Sequence, residues 1–197
     1  MTTRSEQKRA AVLAAAQAEF QEKGFALSSM DAIAARAAVS KRTVYNHFPS
    51  KEALFDAIAG EFWQQSRALM AQTYQADVAI DVQLLSIARQ VRSFYRNEQV
   101  IERARLLLAE LIRQPELAQQ IMQQMAEDCG LQLFLQQAVS AGALVIADVA
   151  LAESQFWALC KAVDFWPLVL RLPCVDDLDE SALYSNVQMF VRAYQAA

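Results

Sequence analysis

The sequence predicts an all-α protein, with a three-helix helix-turn-helix module at its N-terminus and a larger helical bundle behind it. Three observations predict it. Glycine and proline together supply only eight of 197 residues, against roughly 12% in average usage, and strand-rich folds consume both at turns. Apolar residues recur at three- and four-residue spacing in segment after segment. The glycines (Gly24, Gly60, Gly130 and Gly142) stand alone, so the chain offers no glycine-rich phosphate loop or dinucleotide fingerprint.

The first helix is expected from about Arg4 to Lys23. Val12, Ala16 and Phe20 fall on one stripe that Leu13 widens. Gly24 is placed to stop it in a left-handed conformation, and Phe25 to fold back onto the stripe. Ser28 and Asp31 match a capping box, which starts a short helix from Ser29 to about Ala37 with Met30, Ile33 and Ala34 turned inward. After Ala38-Val39-Ser40, Ser40 caps a second short helix, Lys41 to His47. Pro49 ends it at Phe48, and Ser50 caps a fourth helix running from Lys51 to about Gln72.

Two short helices across a three-residue turn, buttressed by a longer one, describe a helix-turn-helix. Val39 and Val44 plug the space between them. The second short helix carries Lys41, Arg42, Thr43 and Asn46, with Tyr45 and His47 beside them. Lysine and arginine reach guanine or phosphate, and threonine meets a thymine methyl. The formal charge of −4 argues against nucleic acid when taken as an average, but the charge is unevenly spread. Residues 1–51 hold eight bases and four acids, net +4, and the remainder nets −8. That division suggests a basic module of residues 1–50 and an acidic body of residues 51–197, with helix 51–72 connecting them.

The segment SMDAIAARAAVSKRTVYNHFPSKEALF (residues 29–55) resembles the signature of tetracycline-repressor (TetR) family transcriptional regulators. VLAAAQAEFQEKGF before it resembles that family's first helix. Many relatives have glycine where this chain has Ala38, and alanine is expected to take an ordinary negative φ there. The resemblance implies base contacts from Lys41, Arg42 and Thr43. It implies phosphate contacts from Tyr45, His47 and Lys51, whose amide lies at a helix N-terminus that favours a phosphate, and from the helix start at Ser29, with Ser40 and Asn46 on the same face. His47 is the only histidine and has no partners arranged for catalysis or metal binding.

In the acidic body, helices are expected at Val82–Tyr95, Val100–Arg113, Glu116 to about Ala141 behind Pro115, Ala150–Leu170 and Leu178–Tyr194. Asp176, Asp177, Asp179 and Glu180 favour the start of the last helix through its dipole. The resemblance implies that the last two long helices pair with their mates in a homodimer. Phe156, Trp157, Leu159, Val163, Leu168, Val187, Phe190, Val191 and Tyr194 could furnish those faces. It also implies a small-molecule effector within the bundle, with Trp63, Phe94, Tyr95, Leu108, Met122, Met125, Phe134 and Phe165 as candidate lining.

Cys129, Cys160 and Cys174 are widely spaced, so neither a disulfide framework nor a zinc site is expected, and a reducing cytoplasm fits. MTTRSEQKRA lacks the apolar core of a signal peptide. Cys129–Ala147 carries no formal charge, yet its glutamines read as a buried helix of a globular domain and not as a membrane span. No enzyme is expected: Glu102 with Glu110, or Cys160 near Asp164, share helices without the rest of a catalytic constellation. No cofactor or metal is implied. The reading is a homodimeric repressor on a near-palindromic double-stranded DNA operator, released by a small apolar or aromatic ligand. The alternatives are an activator of the same fold and an all-α interaction protein without ligand sensing.

Overall fold

The computed structural model describes residues 3–68, 72–126, 130–172 and 180–195, with side chains except at 67 and 121–126. The described elements are α1 (Arg4–Leu27), α2 (Met30–Arg36), α3 (Lys41–His47), α4 (Lys51–Ala68), α5 (Ile80–Tyr95), α6 (Glu98–Arg113), α7 (Pro115–Ala126), α8 (Gly130–Ser140), α9 (Val149–Val163), α10 (Phe165–Val169) and α11 (Glu180–Tyr194). The fold is all-α, and within the described residues no helix is long and apolar enough to cross a membrane. Packing divides the chain into two units: residues through Trp63 with Glu102–Ala118, and Gln64–Ile101 with residues from Gln119 onward.

In the first unit, Thr3 and Glu6 cap α1 reciprocally. The Thr3 hydroxyl accepts from the Glu6 N–H at 3.2 Å, and the Glu6 carboxylate accepts from the Thr3 N–H at 2.6 Å. Val12, Leu13, Ala16 and Phe20 are buried along the expected stripe. Gly24 interrupts the helix at φ 75°, as expected, but with ψ 161° in place of a left-handed turn. That region is essentially restricted to glycine. The swing it allows brings the Phe25 ring 5.3 Å from Phe20 and 5.4 Å from Phe55.

The start of α2 corrects the sequence reading by one residue. The N-cap is Ser29, whose hydroxyl accepts from the Ala32 N–H, and Asp31 then sits one place short of a reciprocal box. Ser28 is buried, and its hydroxyl donates to the carbonyls of Gly24 at 2.7 Å and Glu19 at 3.1 Å. It closes α1 because the carbonyls beside the Gly24 break need a donor. Ser40 and Ser50 cap α3 and α4 as expected, and Phe48 is extended ahead of Pro49.

The expected negative φ at Ala38 is also wrong: φ is +52°. The Val39 N–H reaches the Ala34 carbonyl and the Ala38 N–H the Ala35 carbonyl, each at 3.1 Å. This pair of bonds is the Schellman closure, which needs a left-handed residue at Ala38 whatever its side chain. An alanine Cβ is strained in that region. Ala38→Gly should therefore raise stability by about 1 kcal/mol and the melting temperature by roughly 2–4 °C, as measured by thermal denaturation.

In the second unit, α5 packs on α11, α11 on α9, and α9 on α8. Leu84, Ile87 and Val91 meet a core that includes Leu131, Leu135, Phe156, Leu183, Val187 and Phe190. The Phe156 and Phe190 rings lie 5.2 Å apart, edge to face. The single helix expected over Ala150–Leu170 is split at Asp164, where φ is −112°. Pro167 explains this: it has no N–H to bond the Val163 carbonyl, and its ring crowds that carbonyl. The segment expected as one helix from Glu116 is described as α7 and α8, and residues 127–129 between them lie outside the described residues. So do Cys129, Cys174, Asp176, Asp177 and Asp179, and the side chains of Met122 and Met125. Burial pushes the Cys160 thiol up to about 12, which keeps it protonated at neutral pH.

Candidate nucleic-acid interface

α3 is anchored by one side chain and exposed on the other face. Val44 is fully buried against the scaffold, while Lys41, Arg42, Tyr45 and Asn46 are exposed and Thr43 and His47 half-buried. The hydroxyls of Ser40 and Thr43 share a hydrogen bond of 2.8 Å, so the cap of α3 also holds the Thr43 side chain. Ser29 stands exposed at the start of α2, its hydroxyl already accepting from Ala32.

Counting charges does not reveal which of them are free. Arg9 pairs with Glu61 at 3.4 Å and lies over the Phe48 ring at 5.2 Å. Lys23 pairs with buried Glu19 at 2.6 Å. Arg36 bonds Glu22 at 2.9 Å, and that hydrogen bond holds the Glu22 carboxyl below its usual range. The Lys41 ammonium sits 2.6 Å from Asp31 in α2. This exposed pair is worth little and yields readily to a phosphate or base. Among the described residues, Arg4, Lys8 and Arg42 have no such partner.

Of the two groups that Lys51 could offer a phosphate, the side chain is engaged within the first unit. Its ammonium donates to the carbonyls of Phe25 at 2.6 Å, Ala26 at 3.1 Å and Ser28 at 3.2 Å, and lies 4.5 Å from the Phe25 ring centroid. All three donors are spent closing the α1–α2 turn. What remains for a phosphate is the Lys51 backbone N–H at the positive end of α4.

Arg4 and Lys8, which the sequence reading did not single out, lie beside this face. With Ser5 they line a groove of about 540 Å³ whose other wall is Thr43, Asn46 and His47 of α3. Their signal was available in the basic spacing of the first helix, but nothing in sequence places that end of the helix beside α3.

The other candidate residues are distributed between the units. Trp63 and Leu108 belong to the first unit, and Phe94, Tyr95, Phe134 and Phe165 to the second. Tyr95 is buried 4.6 Å from the Phe165 ring and 5.3 Å from Phe94, while Phe134 packs on Tyr74 at 5.9 Å. The Trp63 indole N–H is buried without a hydrogen-bond partner among the described residues. Of the residues expected at a dimer face, Phe156, Val187, Phe190 and Val191 are buried in the second unit's own core. Trp157, Leu159, Val163, Leu168 and Tyr194 are half-buried. Leu151, Tyr184 and Met189 are the larger apolar side chains exposed on α9 and α11.

Residues 12–58 match the tetR family of bacterial regulatory proteins, and residues 82–196 match the C-terminal domain of AefR-like transcriptional repressors. The HTH-type transcriptional regulator UidR of Escherichia coli K12 is 33% identical over 119 residues, 60% of this chain and 59% of UidR. The match thus spans less than two thirds of that relative's length. A TetR family transcriptional regulator from Pseudomonas syringae pv. tomato DC3000 is 34% identical with a TM-score of 0.82, covering 98% of this chain and 99% of its own. The flavonoid-responsive regulator FrrA is 29% identical with a TM-score of 0.73, covering 95% and 97%.

Proposed function

The chain belongs to the tetR family of bacterial regulatory proteins, and on that premise we propose that it is a homodimeric, ligand-responsive repressor of transcription. The observation that carries this reading is the exposed face of α3, where Lys41, Arg42, Tyr45 and Asn46 stand outward from a helix fixed by buried Val44. Such a helix fits the major groove with its first residues at the base edges. The match of residues 82–196 to the C-terminal domain of AefR-like repressors supports repression over activation.

Dimerisation follows from what a palindromic operator requires. Two recognition helices must stand about 34–36 Å apart to enter successive major grooves. Leu151 on α9 and Tyr184 and Met189 on α11 offer exposed apolar contact for a second copy, beside the half-buried Trp157, Leu159, Val163, Leu168 and Tyr194 of the expected face. The effector is a small apolar or aromatic molecule, a class consistent with the flavonoid response in FrrA's name. It releases DNA only through unequal affinity for two conformers, and about 5.5 kcal/mol of difference moves a population from 1:99 to 99:1.

The test is selection of bound sites from random duplex DNA, followed by a salt series. A near-palindromic site with half-sites one helical turn apart is expected. Steep salt dependence with no enriched sequence would show non-specific binding only and defeat the proposal.

A further inference from the structure

We propose that the first two turns of α1 form a second wall of the DNA interface, and that Arg4 and Lys8 hold one sugar–phosphate strand of the operator against α3. The inference rests on the DNA-binding reading above and extends it to residues outside the matched segment, which begins at residue 12. Arg4 and Lys8 stand at i and i+4, so they share one face of α1. With Ser5 they line the groove of about 540 Å³ opposite Thr43, Asn46 and His47.

Three features of that groove fit a phosphate backbone. Its lining carries two cations and no carboxylate, and the other four side chains can all donate a hydrogen bond. Neither cation is engaged elsewhere among the described residues, unlike Arg9, Lys23, Arg36 and Lys41. The groove also borders the recognition helix directly, so a strand lying in it flanks the groove that α3 enters. Contacts of this kind set register and affinity without reading sequence.

The experiment compares full-length wild type with Arg4→Gln/Lys8→Gln on its selected operator, measuring affinity from 50 to 300 mM salt, and repeats the site selection with the variant. The expected result is weaker binding to every duplex, a salt slope shallower by about 1.8 per half-site, and an unchanged enriched sequence. Arg4→Lys/Lys8→Arg should restore both affinity and slope, which also guards against a folding defect in the glutamine variant. Unchanged affinity and slope in a variant that still selects the operator would overturn this inference alone. An altered enriched sequence would overturn it too, because the pair would then be acting through the position of α3. Failure of the wild type to select any site would instead remove the repressor reading and this one with it.

Discussion

Asp164→Ala should cost the protein about 3 kcal/mol of stability. Asp164 is 2% exposed. One of its carboxylate oxygens accepts from Arg96 Nε at 2.7 Å, and the other lies 3.1 Å from Arg92 Nε. The Arg92 side chain is only 10% exposed, so the truncation leaves a guanidinium in place with its nearest counter-charge gone. Breaking a buried pair this way typically costs 3–5 kcal/mol. Glu180, 3.7 Å from Arg92, offsets part of that, which places the expectation at the lower end. Urea denaturation should register a lower midpoint at unchanged slope. Glu180→Gln is the contrast. Its pairing with Arg89 is half exposed on both sides, and its removal should cost under about 1 kcal/mol. Equal losses in the two variants would mean that Asp164 is not desolvated.

The same residue marks where local sequence signals stop being sufficient. Helix caps are short-range chemistry, so Ser40 and Ser50 could be read directly, and Pro49 as a stop. Ser28 and Ser29 could not be told apart, because the choice depends on carbonyls orphaned at Gly24, up to nine residues earlier. Pro167 signalled a break that the apolar run from Ala150 to Leu170 concealed.

Periodicity found the inward stripes of α9 and α11 but could not name what covers them. Phe156, Val187, Phe190 and Val191 are covered by their own chain. Net charge located the basic module, but pairing is a three-dimensional property. Lys41 and Arg42 are neighbours in sequence, and only Lys41 is tied to a carboxylate. Lys51 has a cation's charge and a cap's position, and its three short contacts to carbonyls decide for the cap.

Arg42→Ala should weaken operator binding by about ten- to a hundredfold and relax base preference at the position it reads. Arg42 is the second residue of α3, exposed and without a partner among the described residues, so its five donors are available when DNA arrives. A guanidinium fork matches the O6 and N7 acceptors of guanine, whereas an ammonium does not. Arg42→Lys should therefore restore charge without restoring specificity. The salt series separates the two roles an arginine can play here. Loss of a base contact leaves the slope nearly unchanged, and loss of a phosphate contact lowers it by about 0.9. A relaxed preference at constant slope would assign Arg42 to base readout. A lower slope at intact preference would move it to the backbone, beside Arg4 and Lys8. Wild-type affinity and preference in Arg42→Ala would mean that the exposed face of α3 is not what reads the operator.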